Sequence, residues 1–333
     1  MIGEEPERIR ERLVAFQDHL QGVIRSSMAR LDAVERSAPM EETSADTTFG
    51  IDVAVEGPAL DWLHAEWPRD FPAILVMEGI DDPGYRVPGD SAMDPAYVLI
   101  VDPVDGTRPL MYLKRPAWIL SGVARYEGRL PSLEDIEVAA MTECPLPNHA
   151  VAEQFSAVRG KGIQGRRRNL AADSVSGLAP SPSTRREADH GFVSFFSGFP
   201  QGKVLNAQIE AVFYELLFGD EGRSQPLLFE DQYLSTGGQL YGLISGRDLA
   251  VFDLRPLLFG KLGLPDALSC HPYDMAALPV AREAGVVVKG VETAPLKVPL
   301  DLTSPVAWAG YANRYLADRL HPLLLEAIRS VLG

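Results

Sequence analysis

The sequence predicts a layered α/β or α+β fold on three observations. Apolar residues recur at helical spacing near both ends of the chain, short wholly apolar runs follow the first helical region, and the middle carries β-type segments spaced like antiparallel pairs. With 333 residues, 46% hydrophobic and 23% charged, the composition is that of an ordinary globular protein, long enough for two domains or one large α/β unit.

From Glu5 to about Arg36 good helix formers dominate, and Leu13, Phe16, Leu20, Val23, Ile24 and Met28 recur at helical spacing, which predicts one long amphipathic helix or two stacked ones. Residues 37–48 are polar with one proline and are expected to form a loop. A second helix is expected from about Asp52 to Trp67, with Val53, Val55, Leu60, Leu63 and Trp67 inward. Ala73–Met77 (AILVM) and Tyr97–Val101 (YVLIV) have the continuous apolar character of buried strands, and each delivers an acid at its C-terminal end, Glu78 and Asp102. Further strands are expected at 118–126, 137–142 and 150–158, with a Gly-Lys-Gly turn at 160–162. The polar interval 166–190, with three consecutive arginines and a Pro-Ser-Pro-Ser run, is expected to be a loop or domain boundary. Beyond it the pattern predicts a strand near 192–196, helices near 205–218 and 233–244 and a strand near 250–254. A helix over 273–283, a strand at 286–288 and a strongly amphipathic helix over 312–331 complete the chain, and no internal repeat is evident.

Forty-six acidic against 31 basic residues give a formal charge of −15, which disfavours non-specific binding to nucleic acid or an anionic membrane. Two cysteines, Cys144 and Cys270, exclude a disulfide-rich scaffold and a Cys-based zinc cluster. No apolar run approaches the roughly 20 residues of a membrane span, and the opening MIGEEPERIRER is acidic and charged rather than signal-like. The expectation is a soluble, cytoplasmic protein without nucleic-acid or membrane partners.

The segment Asp102-Pro103-Val104-Asp105-Gly106-Thr107 follows an expected strand. Alone it would pass for an ordinary turn, since Asp, Pro and Gly all favour turns. Two carboxylates three residues apart on a tight turn can also converge on one point, with the Val104 carbonyl as a further oxygen ligand. Such oxygen-only chemistry is what Mg²⁺ favours. Glu78 ends a second strand and Asp274 sits where a helix is expected to start. Singly, these are a surface acid at a strand end and a helix N-terminal residue that balances the dipole.

Together the acidic segments resemble the inositol monophosphatase family. Asp102–Thr107 (DPVDGT) resembles its central signature, and Phe71-Pro72 through Glu78 resembles the strand that provides a metal-binding glutamate. Asp52-Val-Ala-Val-Glu56, led by Ala45-Asp46, resembles the family's Asp-x-x-x-Glu helix start. His271-Pro-Tyr273-Asp274-Met-Ala-Ala with Glu283-Ala-Gly285 resembles Trp-Asp-x-Ala-Ala followed by Glu-Ala-Gly-Gly. Order and separations agree from about Ser44 to Gly285, and both ends are compatible with the family's first and last helices.

The resemblance implies a layered αβαβα sandwich of the inositol monophosphatase and fructose-1,6-bisphosphatase type. An N-terminal α+β half over residues 1–170 would carry most metal ligands, a C-terminal α/β half over 190–333 would carry Asp274 and the substrate-reading region, and the chain would be a homodimer. It also implies Mg²⁺-dependent hydrolysis of a small phosphorylated metabolite, inositol phosphate-like or a sugar phosphate, by a metal-activated water. Two or three Mg²⁺ ions are expected, with Mn²⁺ as a substitute. By the family's pattern Glu78, Asp102 and the Val104 carbonyl would hold the first ion, and Asp102, Asp105 and Asp274 the second. Thr107, linked to Asp52, and Glu78 would orient and deprotonate the water. Gly106 and Thr107 N–H groups would receive phosphate oxygens, and Arg108 would touch a phosphate or a second anionic group, or stand as a solvated side chain. Independently of the family, a phosphomonoester dianion repels hydroxide, so its hydrolysis needs metal charge, in-line positioning and a prepared water. Bound cations would supply the positive field, which suits a chain of net charge −15.

The chain departs from the family at Gly79, where a second acid is common, which puts an outer ligand of a third metal in question. Arg108-Pro109-Leu110 replaces the usual residues after the threonine, Tyr273 replaces Trp, and Val286 replaces the second glycine of Glu-Ala-Gly-Gly. An apparent insertion separates Asp253-Leu254-Arg255 from His271, so no substrate-contact acid carries over. Ser235-Thr236-Gly237-Gly238 resembles a helix start near the substrate; an N-capped helix with small residues for close packing is the alternative. Arg166–Arg168 is expected to be a solvated loop face, His149 and His271 structural or surface groups, Cys144 a buried thiol, and Lys161 a hairpin tip. The rival functions are a non-catalytic member that binds a phosphorylated ligand, a 3′-phosphoadenosine-type nucleotidase of the same family, and a two-metal nuclease or nucleotidyl transferase. The acidic charge and the lack of a basic, aromatic groove weigh against the last.

Overall fold

Ile9, Leu13, Phe16, Leu20, Ile24 and Met28 repeat every three or four residues and form the buried stripe of helix α1 (Glu5–Arg30). The structure, a computed structural model, describes residues 4–42, 47–80, 82–89, 93–219, 225–265, 267–292 and 295–333. The Ala45-Asp46 match lies outside them. Asp32 caps the separate short helix α2 (Ala33–Arg36) in a capping box with Glu35. The expected loop at 37–48 contains strand β1 (Pro39–Glu42), which pairs antiparallel with β2 (Thr47–Phe49). In α3 (Gly50–Glu66) the inward residues are Ile51, Val55, Ala59 and Leu63. Val53, expected inward, is 47% exposed, because two residues past Ile51 is about 200° around a helix.

The wholly apolar strands divide their side chains between two cores. In β3 (Ala73–Met77), Ala73, Leu75 and Met77 enter one core and Ile74 and Val76 the other. After β4 (Arg86–Val87), β5 (Tyr97–Asp105) divides in the same way, with Leu99 and Val101 opposite Val98 and Ile100. A strand covered on both faces has no solvent side, and so no polar alternation. The short helix α4 (Thr107–Met111) follows. Strands β6 (Ala117–Arg125), β7 (Ile136–Cys144), β8 (Val151–Val158), β9 (Gly162–Asn169) and β10 (Ser174–Leu178) then run as an antiparallel meander. The eight-stranded sheet has the order β10-β9-β8-β7-β6-β5-β3-β4, with β3 and β5 parallel.

Two strands therefore occupy part of the interval expected to be a loop at 166–190. The three arginines sit on β9, where Arg166 pairs with Asp18, Arg167 with Glu153 at 2.5 Å and Arg168 with Asp173 at 3.8 Å. Partners from other segments turn a locally loop-like composition into a strand.

The second sheet has the order β12-β11-β13-β15-β14. It is built from β11 (Gly191–Phe195), β12 (Leu228–Phe229), β13 (Asp248–Asp253), β14 (Val287–Gly290) and β15 (Trp308–Tyr311). The helices of this half are α5 (Lys203–Phe218), α6 (Thr236–Ile244), α7 (Arg255–Leu262), α8 (Leu278–Glu283) and α9 (Arg314–Leu332). The apparent insertion after Asp253 contains α7. The helix expected from residue 273 starts at Leu278 and residues 272–277 form turns, because Pro279 fits only the first helical turn. The layers run α1 and α3, the large sheet, α6 and α8, the small sheet, then α5 and α9. This is the expected αβαβα sandwich. Among the described residues no helix is long and apolar enough to cross a membrane.

Candidate functional site

Parallel pairing of Met77 with Val101 sets Glu78 beside Asp102 at the carboxyl ends of β3 and β5. Asp102 and Asp105 would face opposite sides of a regular strand, being an odd number of residues apart. They do not, because Asp102 pairs with Leu120 and Asp105 with Trp118, so β5 carries one residue more than β6 between these pairs. This bulge turns both carboxylates into one cavity of about 120 Å³. The motif thus belongs to a bulged strand end rather than to the tight turn expected from its sequence.

Each aspartate is held by short-range donors. Asp102 Oδ1 accepts from the Val104 N–H at 3.0 Å, and Asp274 Oδ2 from the His271 N–H at 2.6 Å. Asp105 enters the N-terminus of α6, where Ser235 Oγ (2.7 Å), Thr236 N (3.1 Å) and Gly237 N donate to it. Ser235 Oγ also accepts from Gly238 N at 2.9 Å, so the expected N-cap is real and grips Asp105 as well. A Cβ on Gly237 would stand 2.8 Å from Leu120 and Trp118 and 2.9 Å from Asp105, so only glycine allows this approach. Gly106 (φ +91°) is equally constrained, since a Cβ there would meet Ser235 Cβ at 2.8 Å.

Carboxylate oxygens of Asp102, Asp105 and Asp274 all lie within 4.8 Å of one another. Burial, then the charges of Glu78, Asp105 and Asp274, hold Asp102 well above the usual carboxylate range. Burial and Asp105 raise Asp274 in the same direction. Asp105 is raised to about 6 by burial, against the pull of its three donors. Three crowded, water-poor carboxylates with oxygen-only chemistry form a donor set that suits a hard divalent cation.

The remaining predicted residues line the same cavity: Asp52, Glu78, the backbone at Val104, Gly106, Thr107 and Arg108. Glu78 stands just outside the aspartate trio, close enough for its charge to raise Asp102. Thr107 Oγ lies 2.7 Å from Asp52 Oδ1 and 2.9 Å from the Val104 carbonyl, and Asp52 Oδ2 accepts from Phe49 N at 2.9 Å. Glu56 also lines the cavity, with its Oε1 only 2.5 Å from where a Cβ on Gly79 would stand. A carboxylate from the preceding helix thus borders the position where the chain has no second acid.

Sequence reasoning singled out neither Phe49, Phe196, Phe199 nor Arg255 as cavity residues, and only Glu56's place in a helix-start motif hinted at its role. His271 stacks on Tyr273 with ring centroids 5.3 Å apart. Cys144 and Cys270 are fully buried, and burial pushes both thiols well up, which disqualifies them as nucleophiles.

No protein-family profile matches the chain, and no curated protein matches it in sequence. Solved structures do. A fructose-1,6-bisphosphatase from Leishmania major superposes with a TM-score of 0.67 at 13% identity, over 96% of this chain and 94% of that one. SuhB from Mycobacterium tuberculosis gives 0.61 at 15% identity over 98% of both chains. An inositol monophosphatase from Zymomonas mobilis gives 0.56 at 17% identity, over 97% of this chain and 98% of that one. The chain has the inositol monophosphatase fold. Within that fold the residues following β3, β5, β11 and β13 all reach the cavity, the place where open α/β sheets bind ligands.

Proposed function

We propose that this chain is a divalent-metal-dependent phosphomonoesterase acting on a small phosphorylated metabolite. The observation that carries the proposal is the convergence of Asp102, Asp105 and Asp274 within 4.8 Å in one cavity, beside the Thr107–Asp52 hydrogen bond. Glu78, Asp102, the Val104 carbonyl, Asp105 and Asp274 would hold Mg²⁺. Bound there, the ions would offset the charge of the phosphoryl group and acidify a water.

The chain's own groups do the rest. Thr107 donates its single hydroxyl proton to Asp52 and so keeps lone pairs to accept from a water, which fixes that water's orientation. The water's proton passes through Thr107 to Asp52 or directly to Glu78. Gly106 and Thr107 N–H groups, at the start of α4, receive phosphate oxygens. Ser235 and the α6 N-terminus keep Asp105 in place through the reaction.

The test is phosphate release from inositol 1-phosphate, fructose 1,6-bisphosphate, histidinol phosphate and 3′-phosphoadenosine 5′-phosphate, each with Mg²⁺ and with chelator. Mg²⁺-dependent release from any of them is the expected result. Silence across the panel together with no Mg²⁺ or Mn²⁺ binding by calorimetry would overturn the proposal in favour of a non-catalytic ligand-binding protein.

A further inference from the structure

We propose that the alcohol half of the substrate is apolar and poor in hydroxyls, an aryl or arylalkyl group held against Phe49, Phe199, Leu234 and Leu268. This departs from the polyol that the family resemblance implies. The inference rests on the phosphatase reading and narrows its substrate class. Two chemically distinct sets of side chains line the cavity: the acids around Asp102, and an apolar set of Phe49, Phe196, Phe199, Leu234 and Leu268. Contacts join the apolar set into one surface. The Phe196 and Phe199 ring centroids are 6.0 Å apart, and a Cβ on Gly198 would stand 2.9 Å from Phe196 Cζ and 3.0 Å from Leu234 Cγ. Glycine thus lets the chain after β11 lie against Leu234, just before α6. The Arg108 guanidinium carbon lies 5.4 Å from the Phe49 centroid and 5.9 Å from that of Phe199, which links rings from opposite halves of the chain. Arg255 links Leu268 to Phe196, with Nη1 3.3 Å from the Leu268 carbonyl and its guanidinium carbon 4.1 Å from the ring centroid.

A cyclitol or sugar brings several hydroxyls, and a site selects it by pairing them; each hydroxyl stripped of water without a partner costs affinity. Among the described residues the cavity lining holds no lysine, histidine, asparagine or glutamine to do so. The polar side chains near the apolar set are engaged elsewhere. Arg255 is bound to the fully buried Asp253, with Nε 2.9 Å from Oδ1 and Nη2 2.6 Å from Oδ2. The Tyr273 hydroxyl lies 3.2 Å from His271 Nδ1, and Arg108 has a partner beyond the two rings. Ser269, itself buried, contributes one hydroxyl, too few to pair a polyol. The acids are the natural ligands of the cation, and Ser235 is spent on Asp105. Phe49, Phe199, Leu234 and Leu268, by contrast, are only half-buried, so they keep apolar surface that water covers. An apolar group laid on that surface releases this water and leaves no hydroxyl unpaired. The chemical class that satisfies both sets is a phosphomonoester of an aryl or arylalkyl alcohol.

The test is calorimetric titration of the Mg²⁺-loaded chain with three monophosphonates that cannot be hydrolysed: methylphosphonate, phenylethylphosphonate and the phosphonate analogue of inositol 1-phosphate. Wild type is expected to bind the phenylethyl probe about tenfold tighter than either of the others, a difference of about 1.4 kcal/mol. Phe199→Ala is expected to bring its advantage over methylphosphonate to within about threefold of unity, and Phe199→Leu, which restores apolar volume, to regain most of it. Equal binding of all three probes, tighter binding of the inositol analogue, or an advantage unchanged in Phe199→Ala overturns the inference. The comparison within wild type decides even if a variant fails to fold. Methylphosphonate binding that chelator abolishes reports the phosphate end separately. Its presence without an aryl preference overturns this inference alone, whereas no Mg²⁺-dependent binding of any probe overturns the phosphatase reading and the inference with it.

Discussion

Glu143 and Glu153, on β7 and β8, and Asp102 and Asp105 of β5 with Asp274 from the turns before α8, are two sets of carboxylates largely withdrawn from water. In the first set Glu153 meets basic side chains and a phenol, and Glu143 accepts from the Glu153 N–H at 3.0 Å. Arg167 Nε is 2.8 Å from Glu153 Oε1, the Tyr241 hydroxyl donates to Oε2 at 2.5 Å, and Arg247 reaches that hydroxyl at 3.2 Å. The second set meets backbone N–H groups, one serine and its own members, with Arg255 engaged chiefly by Asp253. Clustered buried carboxylates without adequate counter-charge are costly, and the cost is relieved by protonation or by a cation from outside. The first set is therefore read as architecture and the second as a place for a metal.

Several measurements would break or sharpen this contrast. The largest effect is expected from Asp105→Asn, which removes charge at the bulge: phosphate release should fall by on the order of a thousandfold. Wild-type activity in that variant would erase the distinction between the two acid sets. Next in size, Mg²⁺ at a hundredfold excess over its Kd should stabilise the chain by about 2.7 kcal/mol in urea denaturation. The gain should vanish in Asp105→Asn and persist in Glu153→Gln, and a gain lost in both would mean that the sets are not separate.

Arg167→Ala should cost about 1–2 kcal/mol in the same denaturation, a modest loss because the Arg167 side chain is 49% exposed although that of Glu153 is only 9% exposed. No loss at all would show that Glu153 does not depend on it. The smallest effect is a pH dependence. Asp105 and Glu143 are raised to about 6 and about 7, both mainly by burial. The folded state then holds more protons than the unfolded one, so metal-free stability should fall as pH rises from about 4 towards 7. Mg²⁺ at pH 7 should remove the Asp105 part and leave the Glu143 part, which denaturation across pH with and without chelator would separate.

The strands at 73–77 and 97–101 were legible because burial on both faces leaves a local mark, an unbroken apolar run that ends at an acid. The long first and last helices were legible from their 3.6-residue stripes. The interval 166–190 was not, because the arginines of β9 find their acids on α1, on β8 and in the β9–β10 turn. Nor was β15, whose four residues Trp308–Tyr311 are extended by their neighbours β13 and β14 on either side.

The same division runs through the site. The order and spacing of Asp52, Glu78, Asp102, Asp105, Thr107 and Asp274 are properties of the sequence, and they alone pointed to carboxylate-and-metal chemistry. Tertiary structure decided how these residues meet: the bulge that turns Asp102 and Asp105 to one side, the α6 N-terminus that grips Asp105 from 130 residues away, and Glu56 beside Gly79. It also brought Arg108 and Arg255, from distant segments, within 6 Å of the Phe199 ring at the same cavity. Which residue types are available, and at what spacing, is local to the chain; which of them face one another depends on strand register and helix packing between distant segments.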